Sequence, residues 1–120
     1  MSDSLAALIA SIRSFADERN WEQFHSPKNL SMALIVEAGE LLEHFQWLSE
    51  QESNALTNRQ REEVALEMAD VLIYLCRLSD RLGIDLLAAA EKKMRLNGEK
   101  YPVEQARDSC QKYTAWKDNL

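Results

Sequence analysis

The sequence predicts an all-α protein, organised as a four-helix bundle. Apolar residues recur at i, i+3, i+4 spacing over four long segments, and no segment alternates convincingly with period two. Three Gly and two Pro in 120 residues are too few for an all-β chain that turns often. Helices joined by short connections pack as a bundle.

The first helix is expected from about Ser4 to Arg19, with Leu5, Leu8, Ile9, Ile12, Phe15 and Ala16 on its apolar face. Residues 20–26 break that pattern. Ser26-Pro27 then reads as an N-cap followed by the first helical position, where proline's missing N–H costs nothing. The second helix is expected to reach about Leu48, with Leu30, Leu34, Leu41, Phe45 and Leu48 on its stripe. Residues 49–56 read as a polar loop. Thr57 with Gln60 resembles a capping box and starts a third helix, which runs to about Leu82. Gly83 is a natural stop. Asp85 caps a fourth helix to about Lys100, ended by Pro102. The tail from Val103 reads as partly helical.

Size and charge set the outer limits. A chain of 120 residues fits one domain, residues 1–120, with its helical core at about 4–102. The formal charge of −6 argues against binding a nucleic-acid polymer, which calls for a basic stripe. It does not argue against a nucleotide enzyme, because metal ions bridge acidic sites to phosphates. No apolar run approaches a membrane span. The N-terminal stretch has Asp3 and no basic residue before Arg13, and does not read as a signal peptide. Cys76 and Cys110 lack metal-ligand spacing, and Cys76 reads as a small core residue. The expected location is the reduced cytoplasm.

The third helix bears on association. Residues 64–78 (VALEMADVLIYLCRL) are apolar on more than one side. A helix apolar nearly all round is buried nearly all round. In so short a chain, that predicts burial against a second subunit. The other reading is that the remaining helices cover it.

The carboxylates stand in unusual places. At about 100° per residue, Glu37 falls on the face of Leu30, Leu34, Leu41 and Leu48, and interrupts that apolar stripe. Glu40 adjoins it, with Trp47 two turns beyond. On the third helix, Glu67, Asp70 and Tyr74 share a face with Val71 and Leu78. Two carboxylates about 5 Å apart repel by roughly 3 kcal/mol at an effective dielectric near 20. Four facing inward demand cations or protons, and these stripes offer few basic residues. Oxygen ligands favour hard cations, Mg²⁺ above all, and Mn²⁺ can substitute. Glutamates on helices are also commonly just solvated. A di-iron alternative fails, because Glu22-x-x-His25 is a single Glu-x-x-His where such bundles need two.

These residues resemble the all-α MazG-like nucleoside triphosphate pyrophosphohydrolases, and within them the dCTP pyrophosphatase branch. The matching stretches are WEQFH at 21–25, PKNL at 27–30, EAGE at 37–40, FQW at 45–47 and EMADVLIY at 67–74. Lys93-Met94, Asn97, Lys100-Tyr-Pro102 and Lys112-Tyr-Thr114 follow, so the resemblance spans about residues 5–115. It implies that Glu37, Glu40, Glu67 and Asp70 are the metal ligands and the catalytic carboxylates. It implies that Trp21, His25, Trp47 and Tyr74 surround base and sugar. Lys93, Asn97, Lys100 and Tyr101 match the region that meets the triphosphate, often from a neighbouring subunit, with Lys28 and Asn29 near the same end. It further implies a homodimer, or a homotetramer built as a dimer of dimers. Gly98-Glu99 departs from the more basic run that relatives can carry, which puts one phosphate contact in doubt.

The implied reaction converts a deoxynucleoside triphosphate, dCTP or a modified dCTP, to its monophosphate and pyrophosphate. Its cellular role would be nucleotide-pool sanitation. Without the resemblance, Trp21 and Trp47 read as core or interface residues and Tyr74 equally as a core tyrosine. His25 then reads as a loop tie, His44 as structural, and Lys92, Lys93 and Arg95 as a solvated face. Two alternatives stand beside the main reading. One is the same reaction on dUTP or an oxidised purine triphosphate. The other is a non-enzymatic helical oligomer that binds a partner protein.

Overall fold

The computed structural model describes residues 4–116; the expectations for residues 1–3 and 117–120 lie outside them. Every regular element among the described residues is helical. The chain divides into two compact units, Met1–Ile84 and Asp85–Leu120.

The first unit holds α1 (Leu5–Glu18), a 3-10 turn (Glu22–Phe24), α2 (Pro27–Glu43), α3 (Glu50–Ser53) and α4 (Asn58–Leu82). Short side-chain caps fix the start of each α-helix. Ser4 Oγ accepts from the Ala7 N–H at 3.1 Å, and Ser26 Oγ accepts from the Asn29 N–H at 3.1 Å with Pro27 behind it. Thr57 and Gln60 form the expected reciprocal box at the head of α4. At its far end Gly83 takes φ 65°, so the N–H groups of Gly83 and Ile84 close on Asp80 and Ser79. That left-handed closure favours glycine. Asn20 does the same after α1 at φ 54°, turning the chain so that the Trp21 N–H reaches the Ala16 carbonyl at 3.0 Å.

Helix α4 is the centre of this unit and packs along α2 and α1. Ala16, Leu30, Val64 and Cys76 form its buried apolar core. Much apolar surface stays open. On α4, Leu66 is 70% and Met68 57% exposed, and Ile35, Val36 and Leu42 of α2 are exposed too.

Two boundaries differ from the sequence reading. Helix α2 stops at Glu43, not near Leu48, and residues 44–48 form tight turns, with the Phe45 N–H on the Leu42 carbonyl and the Leu48 N–H on the Phe45 carbonyl. Residues 49–56 are not all loop. Ser49 and Glu52 make a second capping box and start α3. An N-cap needs extended backbone, and Ser49 has it (φ −69°, ψ 163°), so α2 must unwind before it.

The second unit holds α5 (Leu86–Lys100), α6 (Val103–Ala106) and a 3-10 turn (Tyr113–Ala115). Asp85 Oδ1 accepts from the Ala88 N–H at 3.1 Å, as the cap reading required. The tail is ordered by aromatic edges: the Tyr101 ring meets Tyr113 at 5.9 Å and Trp116 at 5.7 Å. No described helix is long and apolar enough to cross a membrane.

Candidate functional site

Packing of α2 against α4 brings the two acidic pairs together. Carboxylate oxygens of Glu37, Glu67 and Asp70 lie within 4.8 Å of one another. Glu37 and Glu67 are half-buried and Asp70 is exposed. Glu40, one turn beyond Glu37, is half-buried and within hydrogen-bonding reach of the Glu37 carboxyl.

The electrostatics are unfavourable as they stand. Glu37 Oε2 and Glu67 Oε2 are buried with no hydrogen-bond partner among the described residues. Among the described residues, no Lys or Arg is in ion-pair range of any of the four carboxylates. The nearest cationic candidate is His44, whose Nε2 is 3.8 Å from Glu67 Oε1. Burial, the Glu40 hydrogen bond and the charges of Glu40, Asp70 and Glu67 push the Glu37 carboxyl up to about 7. Converging hard oxygens, two of them orphaned, fit a divalent cation held by carboxylates. This fit is a property of the donor set.

Beside the cluster, a cavity of about 260 Å³ opens between α1, the 3-10 segment and α4. Ile12, Phe15, Trp21, His25, Ile73 and Tyr74 line it, with Ala16 and Arg77 also at its wall. Asp70 belongs to both cluster and cavity. The Trp21 ring stands edge-on to Phe15 at 5.7 Å and to His25 at 6.0 Å. Three of the four expected base and sugar residues therefore share one cavity. Trp47 does not: it sits in the turn after α2 and is 87% exposed, because the helix expected to carry it has ended.

Two more expected residues lie at the start of α2. Lys28 is exposed on the first turn of α2. Asn29 Nδ2 donates to the Phe24 carbonyl at 3.1 Å and ties the 3-10 segment to α2. Within the second unit, Lys93, Asn97 and Lys100 lie at i, i+4, i+7 along α5, on one face. Lys100 Nζ sits 5.1 Å over the Tyr113 ring, and Tyr101 packs as described above.

Sequence reasoning missed a basic network behind His25. Arg77 is buried, 4% exposed. Its Nε donates to His25 Nδ1 at 3.1 Å, and its Nη1 reaches Asp80 Oδ2 at 3.3 Å. Asp80 also takes both ends of Arg13, at 2.9 and 2.6 Å. Arg81 Nε donates to the His25 carbonyl at 3.2 Å, and Arg81 also pairs with Glu22. Burial, then the Arg77 and Arg81 charges, lower the His25 pKa below its ordinary value. A signal existed: Asp70, Tyr74, Arg77 and Arg81 follow i, i+4, i+7, i+11, so an arginine stands on the inward stripe of an apolar run.

An all-helical chain with a carboxylate cluster and an aromatic cavity at one junction defines a narrow class, and comparison with known proteins agrees. Residues 32–115 match the MazG-like family, and the chain belongs to it. It is 49% identical over 102 residues to dCTP pyrophosphatase 1 of Homo sapiens and of Rattus norvegicus, covering 83% of this chain. The chain spans about 60% of the length of these relatives. A crystallographic pyrophosphatase from Archaeoglobus fulgidus DSM 4304 superposes with a TM-score of 0.79 at 41% identity, covering 85% of this chain and 95% of that one.

Proposed function

We propose that the chain is a Mg²⁺-dependent nucleoside triphosphate pyrophosphohydrolase that acts on dCTP or a modified dCTP. The observation that carries this reading is the joint placement of the carboxylate cluster and the aromatic cavity, linked through Asp70. Relatives named as dCTP pyrophosphatases support the substrate. Glu37, Glu67 and Asp70, with Glu40 beside them, would hold the ion, and Mn²⁺ would serve the same donor set. A bound Mg²⁺ supplies clamped phosphate oxygens and a more acidic water.

The chain's own residues do the rest. Trp21, Tyr74 and His25 present two aromatic faces and a polar ring edge to a base. Lys93, Asn97 and Lys100 form a basic and amide face suited to phosphates, with Tyr101 at its end. The exposed apolar side chains of α2 and α4 support a homodimer or a dimer of dimers in which such a face can come from a neighbour. The family match runs across the division between the two units, which supports a single domain. Two free cysteines support a reducing, cytoplasmic setting, and the activity suits sanitation of the nucleotide pool.

The test is pyrophosphate release from a panel of nucleoside triphosphates, with Mg²⁺ and with EDTA. The expected result is metal-dependent release, fastest with dCTP and its 5-substituted forms. Preference for dUTP or an oxidised purine triphosphate would keep the site and discard the base assignment. Release from none of them would reject the enzymatic reading and favour a helical oligomer that binds a partner protein.

A further inference from the structure

The His25 ring is oriented by a residue outside both the cluster and the sequence motif. An arginine guanidinium carries only donors and stays protonated. Its contact with His25 Nδ1 at 3.1 Å is a hydrogen bond only if Nδ1 is the acceptor. A neutral imidazole has one acceptor and one donor, so the ring proton must sit on Nε2. That nitrogen makes no hydrogen bond to any described residue.

The ring cannot easily turn away. Arg81 holds the His25 carbonyl at 3.2 Å, one helical turn from Arg77 on the same face of α4. Arg77 is itself fixed by Asp80, which Arg13 grips with two bonds. The chain of contacts Arg13–Asp80–Arg77–His25 therefore runs from α1 through α4 to the wall of the cavity.

We propose that Arg77 is a positioning residue that holds His25 with its proton on Nε2, so that the cavity offers a hydrogen-bond donor to the base edge. This rests on the proposed reading of the cavity as the base site. A donor there suits a pyrimidine whose N3 is a bare acceptor, as in cytosine. It opposes one whose N3 carries a hydrogen, as in uracil. Arg77, which itself borders the cavity, thus contributes to base selection through the His25 ring.

The test pairs spectroscopy with kinetics. Imidazole ¹⁵N–¹H spectra of the full chain should show His25 with a protonated Nε2 and a hydrogen-bonded, unprotonated Nδ1. A proton on Nδ1 overturns the proposal. In Arg77→Met, the ratio of kcat/KM for dCTP to that for dUTP should fall roughly tenfold or more, through a higher KM for dCTP. A purely structural role would lower both nucleotides in proportion and leave the ratio unchanged, which also overturns it. Should Arg77→Met not fold, Arg77→Lys keeps the charge near Asp80 but loses the Nε donor, and the same fall in ratio is expected. Failure of the underlying reading looks different: the wild type would release pyrophosphate from neither nucleotide whatever its tautomer, and the proposal would fall with it.

Discussion

Glu37 on α2 and Glu67 on α4 turn carboxylate oxygens to within 4.8 Å of each other, and each keeps one buried oxygen without a hydrogen-bond partner among the described residues. Folding has brought like charges together and partly dried them. Such an arrangement costs stability unless a proton or a cation intervenes. Asp70 on α4 joins the pair within the same distance, and Glu40 on α2 lies within hydrogen-bonding reach of Glu37.

The first prediction concerns pH. The Glu37 carboxyl is pushed up to about 7, above its ordinary 4.5. Between these values the folded state binds more protons than the unfolded one. Its contribution to stability is therefore full below the ordinary value and is lost as pH rises through about 7. In EDTA, Tm should fall between about pH 5 and about pH 7.5, and Glu37→Gln should flatten that fall. Added Mg²⁺ should raise Tm more at the higher pH, because a cation favours the ionised carboxylates. Equal Mg²⁺ stabilisation at both pH values would contradict the assignment.

The basic network predicts the opposite sign. The Arg13 hydrogen bond holds the Asp80 carboxyl below its ordinary 3.8. This stabilisation is present above that value and fades as pH falls below it. Asp80→Asn removes the partner of the buried Arg77 and should cost about 3 kcal/mol in urea unfolding at neutral pH. The gap between variant and wild type should narrow in acid. A neutral substitution would mean that the Arg13–Asp80–Arg77 chain is not holding α1 to α4.

Much of this was legible in the sequence because local chemistry marks it. The caps at Ser26, Thr57 and Asp85 and the stop at Gly83 are short-range devices, and each forms as read. The acidic pairs were legible because charge on an apolar stripe breaks an otherwise simple pattern. The end of α2 was not, since residues 44–48 keep helical periodicity and contain neither Gly nor Pro. The signal lay further on, in the Ser49–Glu52 capping box that forces extended backbone. The Arg77–His25 bond joins residues 52 apart in the chain, and no local rule pairs them.

Association is the third prediction. Leu66, Met68, Ile35 and Val36 are large, apolar and exposed on the two helices that build the site. Sedimentation velocity should show a dimer or larger for the wild type. Leu66→Glu should shift it toward monomer, since burying an unpaired charge is costly. A wild-type monomer at micromolar concentration would contradict the proposed assembly.

The most direct measurement is pyrophosphate release from dCTP by the wild type and by Glu67→Gln, each with Mg²⁺ and with EDTA. The wild type should release pyrophosphate only with Mg²⁺. Glu67→Gln should keep its helical circular dichroism and lose turnover by roughly a hundredfold or more, the scale of removing one electrostatic contact from a reacting centre. A folded Glu67→Gln protein with full Mg²⁺-dependent activity would contradict the assignment of the carboxylate cluster as the catalytic metal centre.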